Sequence, residues 1–206
     1  MKKLLLVASL AICGALSAQA EKGSWVISGS TTLGFNNVSS KVKFNGGSFD
    51  GPKTTSFNVT PAFGYFVANN FAIGLDLAFK STKNENTEFF NGETFNYESK
   101  ENTVIVMPTG TYYFKSASKV MPYLGAGIGY FSSTNRFSSD LSSDFDAKTT
   151  VDGLAWGAKG GLVYLVTPSI GIDLGLGYIN TSSKEGDIKT VTNTFGVNAG
   201  FSIFIK

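Results

Sequence analysis

The sequence contains no histidine. That absence removes Ser–His and Asp–His hydrolase arrangements and the commonest metal ligand. Its one cysteine, Cys13, lies within the first 20 residues. With no second thiol, no disulfide can brace an exported fold. Beyond residue 20 there is no second long apolar run to form a membrane-spanning helix, and no sustained helical period. A dominant charge sign is missing too, as the formal net charge is only +2.

The first 20 residues have the form of a cleaved secretory signal peptide. Lys2 and Lys3 are its charged start, Leu4 to Leu16 its apolar stretch, and Ala18-Gln19-Ala20 a small-x-small cleavage site. Ile12 stands where a small residue would precede a lipidated Cys13, which argues against a lipid anchor. Residues 21–206 are then the single mature domain. Taking Lys2 and Lys3 from the 17 basic residues leaves 15 against 15 acidic ones. No basic patch points to a nucleic-acid partner.

What the chain has in quantity is glycine, 24 residues, with 18 Phe and 8 Tyr. In 71–80, Phe71, Ile73, Leu75, Leu77 and Phe79 alternate with small or polar residues, the period of a two-faced strand. Such segments recur and predict strands near 23–36, 54–67, 71–82, 102–115, 120–132, 153–166, 170–180 and 191–205. The connections alternate in length. Those at 68–70, 116–119 and 167–169 are tight turns, while 37–53, 83–101, 133–152 and 181–190 read as long, polar loops.

Sorted connections and an even strand count predict an all-β fold, an eight-stranded antiparallel up-and-down transmembrane β-barrel. The faces agree with that prediction. One collects Trp25, Phe63, Leu124, Ile128, Leu174 and Val197; the other collects Ser28, Thr60, Gly125, Gly161, Gly175 and Asn198. Glycine weakens a solvent-facing strand but suits a narrow bore. Aromatics gather at both strand ends, as membrane belts do. Trp25, Tyr65 and Tyr164 lie beside the short turns, and Tyr130, Trp156 and Tyr178 beside the long connections.

The segments "PAFGYFVANNFAIGLDLAF" (61–79), "MPYLGAGIGY" (121–130) and "NAGFSIFIK" (198–206) carry a more specific likeness. The chain resembles the small eight-stranded outer-membrane β-barrel family, the outer membrane protein A-like and X-like group within the porin-family barrel domains. The resemblance spans about 23–205. It implies a bacterial outer-membrane location with long loops at the cell surface, in contact with outer-membrane lipid and lipopolysaccharide. It also implies biogenesis through periplasmic chaperones and the barrel-assembly machinery, which would read Asn198, Gly200, Ile203 and Ile205. The chain departs from that family in ending on Ile205-Lys206 rather than on an aromatic.

No motif carries catalysis. Ser116-x-x-Lys119 lies in a tight turn without companion motifs, and Gly125-x-Gly127-x-Gly129 has no following helix. Gly23-Ser24-Trp25 is similar to the lipocalin motif, but the interior parity here is polar. We expect no enzyme activity, no cofactor and no metal. The acidic residues Asp140, Asp144 and Asp146 read as a solvated loop.

Four charges share the inward parity: Asp76, Lys80, Lys159 and Asp173. In a narrow bore they must pair or be hydrated, so a direct Asp–Lys contact between neighbouring strands is expected. Asn45-Gly46 and Asn91-Gly92 signal tight hairpins and a protruding sheet. Around the second stand Phe89, Phe90, Phe95 and Tyr97, either self-packed or a binding edge. The leading expectation is a non-enzymatic envelope barrel with a polar, plugged or narrow lumen, contributing to envelope structure and small-solute passage. The alternative is surface adhesion or partner binding through 37–53 and 83–101.

Overall fold

In the computed structural model, the described backbone comprises residues 20–32, 36–44, 47–90, 93–114, 119–139, 146–185 and 188–206. Side chains are described for 20–30, 53–86, 96–114, 119–138, 147–184 and 189–206. The predicted leader up to residue 19 lies outside the described residues, as do both Asn-Gly pairs and the acidic segment 140–145.

The strands are β1 (Trp25–Thr32), β2 (Asn36–Phe44), β3 (Gly47–Ala68), β4 (Phe71–Phe90), β5 (Glu93–Tyr113), β6 (Val120–Ser139), β7 (Asp146–Leu165), β8 (Ile170–Glu185) and β9 (Ile188–Ile205). All pairings are antiparallel. β1 and β2 lie end to end along the same edge of β3, β1 at Thr60 to Tyr65 and β2 at Gly47 to Ser56. Together they form one stave, and β1 also pairs with β9, from Trp25↔Ile205 to Thr32↔Asn198. The sheet therefore closes into an eight-stranded barrel through β1, while β2 pairs with β3 alone and residues 188–197 of β9 pair with β8 alone.

The strands run further than alternation predicts. Most of 37–53, 83–101, 133–152 and 181–190 is strand rather than loop, and β4 and β5 stay paired out to Phe90↔Glu93. Apart from the aromatics near the hairpin tips, these extensions are mostly polar on both faces, so the ladder satisfies their backbones while their side chains carry little period for sequence reading to detect.

Large apolar residues cover the outside. Leu124, Ile128, Leu154 and Phe195 are exposed, as are Trp25, Tyr65, Phe71, Tyr112, Tyr164, Phe79, Tyr130 and Trp156 at the two ends of the band. A continuous apolar band of this kind fits a hydrocarbon surround. Rings pair within it, Trp25 on Tyr65 at 4.9 Å and Trp156 on the half-buried Tyr178 at 5.4 Å. Pro61 and Pro108 sit where the ladder passes from Val59↔Phe79 to Ala62↔Asp76 and from Val106↔Tyr130 to Thr109↔Gly127 with no change of register. Proline has no N–H to donate there.

The short-turn end is cross-tied. Asn70 takes positive φ (68°), which asparagine tolerates, and its carbonyl accepts the Tyr113 N–H at 2.8 Å. Thr167 Oγ1 accepts the N–H groups of Ser169 and Ile170, and Ser169 O accepts Phe204 N–H at 2.8 Å.

Candidate functional site

The site is the barrel interior, built upward from the short-turn end. Near that end alternation fails in the sequence: Tyr65-Phe66-Val67, Tyr112-Tyr113-Phe114, Leu162 to Val166 and Ile203-Phe204-Ile205 are apolar on both parities. The outward members join the lower aromatic belt. The inward members, Phe66, Tyr113, Val163 and Phe204, pack together with Val26 and Ala72 into a buried floor. Phe66 and Val163 are 0% exposed. Phe66 lies 5.5 Å from Tyr113 and 6.3 Å from Phe204, ring centre to ring centre. Ala20, the last residue of the expected leader, also packs here.

Asp173 sits just above the floor. Its carboxylate accepts the Tyr123 hydroxyl at 2.8 Å and the Ser202 hydroxyl at 3.2 Å. Tyr123 can cross the bore because β7 and β8 carry glycine beneath its tip. A Cβ at Gly161 would fall 2.8 Å from the Tyr123 hydroxyl, and one at Gly175 would collide with it. Glycine here is a steric requirement, which alternation alone does not reveal.

Asp76 and Lys159 meet one level higher, with Lys159 Nζ 2.6 Å from Asp76 Oδ2. Thr109 Oγ1 donates to the other Asp76 oxygen at 3.3 Å. The pair is direct, as expected, but it joins β4 to β7 across the bore rather than neighbouring strands. Lys159 and Asp173 stand on the neighbouring strands β7 and β8 but do not pair with each other, and the Asp173 oxygens are taken by Tyr123 and Ser202. Lys80 lies higher, on the same inward face, and forms no ion pair among the described residues.

The bore holds a cavity of about 590 Å³, lined by the pair itself and also by Tyr113, Tyr123 and Asp173 below it. Its wall is mixed rather than uniformly polar: Ile105, Met107, Phe131 and Ile179 line it together with Ser28, Thr60 and Asn198. Ile105, Met107 and Phe131 belong to a second apolar cluster with Ala155. Sequence reading placed Gly125 on the inner face of β6 but passed over the apolar inward residues Ile105, Met107 and Phe131. It also missed Glu101, which accepts hydrogen bonds from Ser133 at 3.1 Å and Thr103 at 3.3 Å. Among the described residues the cavity lining then holds three carboxylates and two lysines, so the four inward charges read from parity are an incomplete set.

Of the hairpin aromatics, Tyr97 stacks on Phe137 of β6 at 6.1 Å. Phe89, Phe90 and Phe95 lie in paired strands, and their side chains fall outside the described residues. Asn198, Gly200, Ile203 and Ile205 sit on β9, opposite Thr32, Ser30, Ile27 and Trp25 of β1, so the predicted assembly segment is the strand that closes the barrel.

The chain matches the Outer membrane protein beta-barrel domain over residues 4–204, and it belongs to that family. Solved structures to which it is similar include Neisserial surface protein A, at 23% identity over 88% of this chain and 97% of the other, TM-score 0.43. OprG from Pseudomonas aeruginosa is 17% identical over 91% and 98%, TM-score 0.48. The attachment invasion locus protein Ail of Yersinia pestis is 22% identical over 88% and 99%, TM-score 0.40. No curated protein matches the chain.

Proposed function

We propose that this outer-membrane barrel is a non-enzymatic envelope protein whose bore is a cup, closed at the short-turn end and entered from the hairpin end. The short turns face the periplasm in this reading and the long hairpins face the cell exterior. The observation that carries it is the floor of Phe66, Tyr113, Val163 and Phe204, with the Asp76–Lys159 pair above it. Water and small solutes enter the cavity without a continuous path through. Conductance of the processed, refolded protein in planar bilayers tests this. No sustained channel is expected, and a steady large conductance from the native chain would overturn it.

A second reading, partner binding through the hairpins, is favoured by the β4–β5 ladder running to Phe90↔Glu93, well past the apolar band. Deleting 86–98 would then abolish cell or protein binding while leaving the barrel folded. Unchanged binding would sink this reading. Assembly through the closing segment Asn198, Gly200, Ile203 and Ile205 belongs to both readings.

A further inference from the structure

On the outer face, just beyond the hairpin-side end of the apolar band, four cations fall into one row across four adjacent strands. Lys83 of β4 is paired in register with Lys100 of β5, Lys100 with Arg136 of β6, and Arg136 with Lys148 of β7. Like charges directly opposite one another on a sheet are destabilising. Such a row persists at low cost only if something anionic neutralises it. Lys83 has its own answer, since Glu85 and Glu98 lie 2.7 and 2.9 Å from its ammonium. Lys100, Arg136 and Lys148 are exposed and form no ion pair among the described residues.

The row's height is informative. Phe79 and Val104 are the last large apolar residues below it on β4 and β5, four positions from Lys83 and Lys100. At about 3.3 Å per residue and a tilt of about 40°, that separation is roughly 10 Å along the membrane normal. Long basic side chains reach down over such a distance to the headgroup layer. Between the apolar band and the cations, Ser81, Asn102, Thr134 and Thr150 form a row of hydroxyl and amide groups in the same register. Cations over neutral donors suit phosphate oxygens.

We propose that Lys100, Arg136 and Lys148, with the polar row beneath them, form a docking face for the phosphate groups of lipopolysaccharide in the outer leaflet. The face lies on the β5–β7 side of the wall and serves to hold the barrel in a glycolipid layer. This inference rests on the reading that the hairpin end faces the cell exterior.

The test uses the processed, refolded full-length barrel and the triple variant Lys100→Gln/Arg136→Gln/Lys148→Gln. Gel migration before and after boiling verifies folding of each. Affinity is measured for lipopolysaccharide, for its dephosphorylated form and for phosphatidylglycerol vesicles. The native barrel should bind lipopolysaccharide at least tenfold more tightly than the triple variant or the dephosphorylated glycolipid. In phosphate-free detergent the triple variant should unfold at an equal or higher temperature, because the opposed charges are gone. The double variant Lys22→Gln/Lys119→Gln, at the other end of the barrel, should bind like the native protein. Equal binding by native and triple variants would overturn the proposal, as would equal binding of dephosphorylated glycolipid or of phosphatidylglycerol. Orientation is read separately by labelling Lys100→Cys on intact cells with an impermeant thiol reagent. Absence of labelling there refutes the outward-facing hairpins, whatever the lipid affinities.

Discussion

Lys159 Nζ and Asp76 Oδ2 lie 2.6 Å apart although their strands, β7 and β4, are separated around the wall by β5 and β6. The contact therefore braces the barrel across its bore, at a level no hydrogen-bonded ladder can span. Lys159→Met leaves the largely buried Asp76 carboxylate without its cation and should cost about 3 kcal/mol of unfolding free energy. Replacing both, as Lys159→Met with Asp76→Leu, should cost less than the sum of the single changes. Urea unfolding of the refolded barrel measures this, and strictly additive losses would show that the two groups do not depend on each other.

The Tyr123 hydroxyl and Gly175 compete for one space. Gly175→Ala should destabilise the barrel, because its new Cβ meets that hydroxyl. In a Tyr123→Phe background the same change should cost less, although Tyr123→Phe itself loses roughly 1–3 kcal/mol by leaving Asp173 short of a donor. A double-mutant cycle with no coupling between the two positions would refute the steric account.

Phe66 is the keystone of the floor. Phe66→Ala should lose about 3–5 kcal/mol through the cavity it opens. It should also raise ion leakage in planar bilayers above the native background. A variant as tight as the native chain would mean that the seal lies elsewhere in the bore.

The exposed Lys83–Glu85–Glu98 group titrates in opposite senses at its two ends. Hydrogen bonding to Lys83 holds the Glu85 carboxyl below its ordinary value, so its contribution is present above the ordinary carboxylate range and lost as pH falls through the lowered value. Hydrogen bonds to Glu85 and Glu98 raise the Lys83 ammonium, so its contribution is complete below 10.5 and lost as pH rises past that. Protection factors of the amides at 83–86 and 96–98, corrected for the intrinsic pH dependence of exchange, should therefore fall in acid and in strong alkali and change little around neutral pH. Added salt should weaken the effect, as the group is solvent-exposed. Protection that ignores both pH extremes would refute the account.

Much of this protein is determined by sequence alone. Period-two alternation, with glycine on one parity and aromatics at both strand ends, defines the eight membrane-crossing staves and which face meets lipid. Outward positions such as Leu124, Trp156 and Phe195 each meet the same surroundings whatever lies across the bore, so parity suffices to place them. The inward positions are different. The meeting of Asp76 with Lys159, the capture of Asp173 by Tyr123 and Ser202, and the floor of Phe66 and Phe204 join strands far apart in the chain. They depend on closure, tilt and register together, which set the height of each side chain inside the bore. Parity reports which face a residue occupies but not which residue stands opposite it, and that was decided only when the sheet closed.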